Sequence, residues 1–97
     1  MRIKWHSGAR QDLHQFESET QKELLENVEE LEKSPLGEDT SIVSKQGLDI
    51  YRLKLKEGEL DHRVFFELDE NTVVILGIQH RDDAYTQASI QELKSRQ

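Results

Sequence analysis

Arg52, Lys54 and Lys56 alternate with Tyr51, Leu53 and Leu55, so on an extended chain the three cations share one face and the apolar residues the other. Same-face neighbours on a strand stand about 6.6 to 6.8 Å apart, comparable to the step between phosphates on a nucleic-acid strand. A face of this kind can track a phosphate backbone. Hairpin pairing with the next segment would bring Arg63 alongside, and the end of the following apolar strand would deliver Arg81 and Tyr85, so that five cations and one phenol converge. Exposed strands also carry Lys and Arg simply to stay soluble and unpaired, and on spacing alone that plainer role is the stronger reading. His80, beside Arg81, is either a proton donor or acceptor for neutral pH or a capping, solvent-facing imidazole. Phe65 shares the face of Arg63 and could stack on a base, although a strand Phe is more often packing.

Other chemistries find no support. The chain has no cysteine, which removes disulfides, zinc ribbons, thiolate nucleophiles and iron–sulfur ligation. His6, His14, His62 and His80 form no i, i+4 pair, and no glycine-rich phosphate loop, nucleophile elbow or HExxH occurs. No metal or cofactor is expected. With 97 residues, the chain can bury only roughly 60 to 65% of its unfolded surface, so one domain over residues 1–97 is expected and a dinucleotide fold is excluded. The longest apolar run, Val73 to Ile78, is far too short for a membrane span, and no targeting segment is evident. A cytoplasmic protein with no membrane partner is the natural reading.

The net charge of −7 argues at face value against nucleic acid. Its distribution does not. Between Glu17 and Asp39 nine acids face only Lys22 and Lys33, while the rest of the chain balances 11 acids against 11 bases. The basic group Arg52, Lys54, Lys56, Arg63 and Arg81 belongs to that neutral remainder. Acids near it, in Glu57 to Asp61 and at Asp82 and Asp83, pull against phosphate binding.

The elements that must position these residues follow from periodicity. Arg2 to Trp5 alternates as a strand. Ser7 is expected to cap a helix in which Ala9, Leu13 and Phe16 face inward while Arg10, Gln11, Asp12 and Gln15 face out. Ser18 with Gln21 and Thr20 with Glu23 form two overlapping capping boxes for a second helix, whose stripe is Leu24, Leu25, Val28 and Leu31 and whose other face is acidic. Ser34 and Pro35 end it. Tyr51 to Leu55 and His62 to Leu68 make a hairpin through Glu57 to Asp61. Asp69 to Asn71 turn the chain again, and Val73 to Ile78, apolar on both faces, reads as a central strand ending at Gln79. A short helix with Ala88, Ile90 and Leu93 closes the chain. This is an α+β fold with its helices on one sheet face, and all or part of the other face is left for chemistry.

The run from Tyr51 to Tyr85, YRLKLKEGELDHRVFFELDENTVVILGIQHRDDAY, resembles the signature half of the RelE/ParE toxin superfamily: a basic strand, R-V-F-F-E, an apolar strand and H-R-x-x-x-Y. The resemblance implies an N-terminal strand, a two-helix hairpin packed on a twisted antiparallel sheet and a short C-terminal helix. It implies the toxin of a type II toxin–antitoxin pair, neutralised by a cognate antitoxin and touching operator DNA only through it. RelE-like members are ribosome-dependent mRNA endoribonucleases and ParE-like members poison DNA gyrase. Arg52, Lys54, Arg63, Arg81 and Tyr85 stand at the positions of the RelE-like cationic cluster, which favours RNA cleavage with ribosome and mRNA as partners. The implied reaction is attack of a ribose 2′-oxygen on the adjacent phosphate, giving a 2′,3′-cyclic phosphate and a 5′-hydroxyl. Arg63 and Arg81 would stabilise the phosphate charge, Arg52 and Lys54 position it or transfer protons, and Tyr85 orient or activate the 2′-hydroxyl. Lys56 and His80 would bind substrate, His80 also standing as a substitute acid. A gyrase inhibitor and an inactive antitoxin-binding homologue are the alternatives.

Overall fold

A computed structural model describes residues 1–45, 47–55 and 61–97. The order is β1 (Arg2–Trp5), α1 (Ser7–His14), α2 (Ser18–Glu30), β2 (Thr40–Lys45), β3 (Leu48–Lys54), β4 (His62–Asp69), β5 (Thr72–His80) and α3 (Gln87–Arg96). The five strands form one sheet in the order β1-β5-β4-β3-β2. Strands β2 to β5 pair antiparallel in succession, and β1 adds in parallel to β5, so the sheet is mixed. β2 was not foreseen in the sequence. Its apolar residues, Ile42 and Val43, are adjacent rather than alternating, and as an edge strand it leaves Ile42 exposed. The hairpin turn expected at Glu57 to Asp61 lies, apart from Asp61, outside the described residues.

The sheet is covered on both faces. On one, Ala9 and Leu13 of α1 with Leu24 and Val28 of α2 and the adjoining Leu31 pack on Leu53, Leu55, Val64, Phe66, Val73, Ile75 and Ile78. On the other, Ile90 and Leu93 of α3, with Ala84, cover Val43, Leu48, Ile50, Phe65 and Leu76. The apolar character of β5 on both sides follows from this. Leu25 and Ala88, expected to face inward, are exposed. Phe16 lies beyond the end of α1 yet packs against the first core.

Helix starts differ from expectation. Ser7 is already helical, and the cap of α1 is His6, whose Nδ1 accepts from Gly8 N at 3.0 Å. Neither capping box of α2 forms. The N-cap is Glu17, with no side-chain cap bond, and Gln21 Nε2 instead donates to Phe16 O at 2.8 Å. Thr86 caps α3 by accepting from Ser89 N at 3.1 Å.

Asp12, expected to point outward, is turned inward to the exposed edge of β5. β1 pairs only as far as Ile75, and between Phe65 and Phe66 the β4–β5 register slips. Backbone groups past that point need other partners. Asp12 Oδ2 accepts from Ile78 N at 3.1 Å, and Arg96 Nη1 donates both to Leu76 O at 2.9 Å and to Asp12 Oδ2 at 2.8 Å. One ion pair thus closes the strand edge and ties the end of α3 to α1. Gly77 makes this approach possible, since a Cβ there would stand 2.8 Å from Leu93 Cδ2 and 3.0 Å from Arg96 Nη1.

Both side chains of the pair are largely buried, so removing one strands the other and leaves a backbone group unpaired. Arg96→Ala should cost about 2–4 kcal/mol in urea unfolding. A double-mutant cycle with Asp12→Ala should be far from additive.

Candidate functional site

The cationic residues of β3 and β4 lie on the sheet face that carries α3, beyond the part α3 covers. Arg52 is opposite Phe65 and Ser41, while Lys54 is opposite Arg63, which in turn is opposite Gln79. Alternation therefore sets Arg52, Lys54 and Arg63 on one face as neighbours. The chain leaving β5 returns over this face. Ala84 and Tyr85 join the core beneath α3, and Tyr85 stacks edge-on against Phe65 with ring centroids 5.9 Å apart. Phe65 is buried and serves packing.

Arg52 is held from two sides. Its Nη1 donates to Tyr85 Oη at 2.5 Å and its Nη2 to Ser41 Oγ at 2.7 Å. Tyr85 itself adopts φ 69°, the left-handed region that a bulky residue enters at a cost on the order of 1–3 kcal/mol. Its contacts with Phe65 and Arg52 offset that cost. Those contacts fix the Oη position relative to the guanidinium.

Arg63 and Arg81 meet at Asp61. Arg63 is nearly buried; its Nη1 donates to His62 O at 3.2 Å and lies 3.9 Å from Asp61 Oδ1. Arg81 is exposed, with Nη1 3.1 Å from Asp61 Oδ2 and Nε 3.7 Å from Asp82 Oδ1. Arg81 N also donates to Asp61 O at 2.7 Å, which fixes the end of β5 against the start of β4. His80 Nδ1 accepts from Asp82 N at 3.2 Å, so His80 caps the turn, and an accepting Nδ1 places the neutral ring's proton on Nε2. Two groupings result, Arg52 with Tyr85 and Arg63 with Arg81, with Lys54 on the same face. Lys56 lies outside the described residues.

The acidic helix is on the far side. α2 packs on the first core, so its glutamates are separated from the cationic face by the sheet. A cleft of about 390 Å³ between the end of α2 and the β2–β3 edge is lined by Glu30, Glu38 and Asp39 with Lys54. Its carboxylates make it unsuited to phosphate, and the cationic groups occupy an open face instead.

A family model, described as the ParE toxin of the type II toxin–antitoxin system parDE, matches residues 3–85. The chain belongs to the RelE/ParE family of toxins. The toxin resembles, with 26% identity and a TM-score of 0.67, the archaeal RelE–RelB complex structure from Pyrococcus horikoshii, over 86% of this chain and 97% of that one. The RelBE2 complex of Mycobacterium tuberculosis shares the fold at 22% identity and a TM-score of 0.70, over 82% and 96% of the two chains. The isolated RelE toxin of E. coli does so at 14% identity and 0.67, over 97% and 96%. No curated protein matches the sequence significantly.

Sequence reasoning about the toxin did not assign roles to Asp61, Ser41 or His62. Asp61 was visible only as one more acid in a loop, and Ser41 belongs to the strand that periodicity missed. His62 is buried, its ring edge-on to Phe16 at 4.8 Å and to His80 at 5.4 Å, and its Nδ1 has no hydrogen-bond partner among the described residues. Burial pushes its pKa below the ordinary 6.5, with His80 and Arg63 adding to the shift and Asp61 opposing it. A depressed folded value means that the unfolded chain binds the proton more readily. The stability from neutral His62 is therefore complete above about pH 6.5 and is lost as the pH falls through the folded value. Urea midpoints should drop between about pH 7 and about pH 5, and His62→Phe should flatten that drop. An unchanged slope would place its origin elsewhere.

Proposed function

We propose that the toxin is a ribosome-dependent mRNA endoribonuclease that acts in the cytoplasm and is neutralised by a cognate antitoxin. The observation that carries this reading is the placement of Arg52, Lys54, Arg63, Arg81 and Tyr85 on one side of the sheet, away from the acidic helix, with Arg81 exposed and Arg63 nearly buried. In the proposed reaction a ribose 2′-oxygen attacks the adjacent phosphorus and the 5′-oxygen leaves, giving a 2′,3′-cyclic phosphate and a 5′-hydroxyl. Charge grows on the non-bridging oxygens. Arg63 and Arg81 are assigned to that charge, because preorganised donors aimed at developing charge lower the barrier directly. Tyr85, its oxygen fixed by Arg52, orients the 2′-hydroxyl, and Lys54 holds the flanking backbone. Lys56 extends the same sequence alternation and is assigned to backbone binding. The 2′-hydroxyl proton is lost to solvent, and His80, as the imidazolium with Asp82 Oδ2 3.5 Å from its Nδ1, can donate a proton from Nε2 to the leaving 5′-oxygen.

The antitoxin assignment draws on the family and on relatives from M. tuberculosis and P. horikoshii solved as RelB–RelE-type complexes. Operator DNA would be reached only through that partner. A second reading, a gyrase poison, is favoured by one observation: the matching family model is that of ParE toxins. Primer extension on a ribosome-bound message separates them. The wild type should cut, and Arg81→Ala should cut about 10²- to 10³-fold more slowly with little change in stability, since its side chain is 59% exposed. Tyr85→Phe should lose about tenfold or more. Intact message together with trapped gyrase–DNA complexes would instead establish the second reading.

A further inference from the structure

Among the described residues, Asp61 alone stands within ion-pair distance of both Arg63 and Arg81. Each carboxylate oxygen addresses a different guanidinium, Oδ1 at 3.9 Å from Arg63 and Oδ2 at 3.1 Å from Arg81. Two non-bridging oxygens of a phosphodiester present the same pattern to a pair of arginines. Asp61 is also held in place by its backbone, through the bond from Arg81 N to its carbonyl, while its side chain is 38% exposed and able to swing outward. We propose that the Asp61 carboxylate is an internal stand-in for phosphate, occupying the arginine pair until a phosphodiester displaces it.

The proposal deepens the reading above and rests on its assignment of Arg63 and Arg81 to phosphate. Asp61 is then a positioning and specificity residue. With no phosphodiester bound it holds the two guanidiniums in register and keeps the nearly buried Arg63 paired. Against a lone anion it competes at close range. A strand that brings several phosphates along the face of Arg52 and Lys54 adds contacts and so displaces it at a lower concentration than a lone anion does. Because the pair is partly exposed, the competition is modest. Removing it should tighten phosphate binding roughly two- to fivefold.

The test uses the toxin without ribosomes. Inorganic phosphate is titrated into wild type, Asp61→Asn and Asp61→Glu, following the Arg Nε–Hε resonances of Arg63 and Arg81 by NMR. Asp61→Asn should bind phosphate roughly two- to fivefold more tightly than wild type, and Asp61→Glu, which keeps the charge, should stay near wild type. In the wild type the Asp61 ¹³Cγ resonance should shift as phosphate saturates, a signature that needs no variant to fold. Equal affinity in wild type and Asp61→Asn, or a stationary ¹³Cγ resonance at saturation, overturns the proposal. Message cleavage is scored separately, so a toxin that binds phosphate as described but leaves mRNA intact refutes the ribonuclease reading and not the competition.

Discussion

The ion pair between Asp12 and Arg96 is the constraint on which the layout of the site depends. β5 runs past the end of β1, and its edge would expose unpaired amides to solvent or to another chain. Asp12 takes the Ile78 amide and Arg96 the Leu76 carbonyl, so α1 and the end of α3 together stand where a further strand would be. The other end of α3 is held by Ser89, whose hydroxyl donates to Gln79 Oε1. With both ends fixed, the path of the segment that joins β5 to α3 is constrained. That segment carries Arg81 and Tyr85. A contact at the far edge of the sheet thereby determines where the phenol meets Arg52.

The two faces of the sheet divide the work. α1 and α2 cover most of one face, and the surplus acid of the chain lies on the outer surface of α2. α3 covers only part of the other, leaving the ends of β3 and β4 uncovered. Exposed charges separated by more than about 8 Å are largely screened at physiological ionic strength, so the net −7 describes the helix face and not the cationic one. The carboxylates that matter to the cationic face are the near ones, Asp61 and Asp82, each within 4.0 Å of a site arginine.

Much of this could be read from the chain before any coordinates. Alternation at Tyr51 to Leu55 and His62 to Leu68 identified β4 and the second half of β3, because a strand imposes period two on its side chains, but the face of β4 that carries Arg63 and Phe65 is buried as well. Doubly apolar β5 announced a strand covered on both sides. What escaped was whatever depends on a single long-range contact. Asp12 on a polar helix face gives no sign that its partner is Arg96, 84 positions away. β2 has no alternation because it is a short edge strand, and His6 is an uncommon cap whose imidazole geometry alone reveals it. Spacing grouped residues 52, 54, 63, 81 and 85, and the family resemblance singled them out as a site, but neither revealed their division into two groupings or the carboxylate between Arg63 and Arg81.

The central claim is that this cationic face drives 2′-oxygen attack on a message held by the ribosome. The end groups of the product report that chemistry most directly. Mass spectrometry of mRNA fragments from ribosomes treated with the purified toxin should find a 2′,3′-cyclic phosphate on the upstream fragment and a 5′-hydroxyl on the downstream one. Fragments ending in a 3′-hydroxyl with a 5′-phosphate, or a message left whole, would contradict the account.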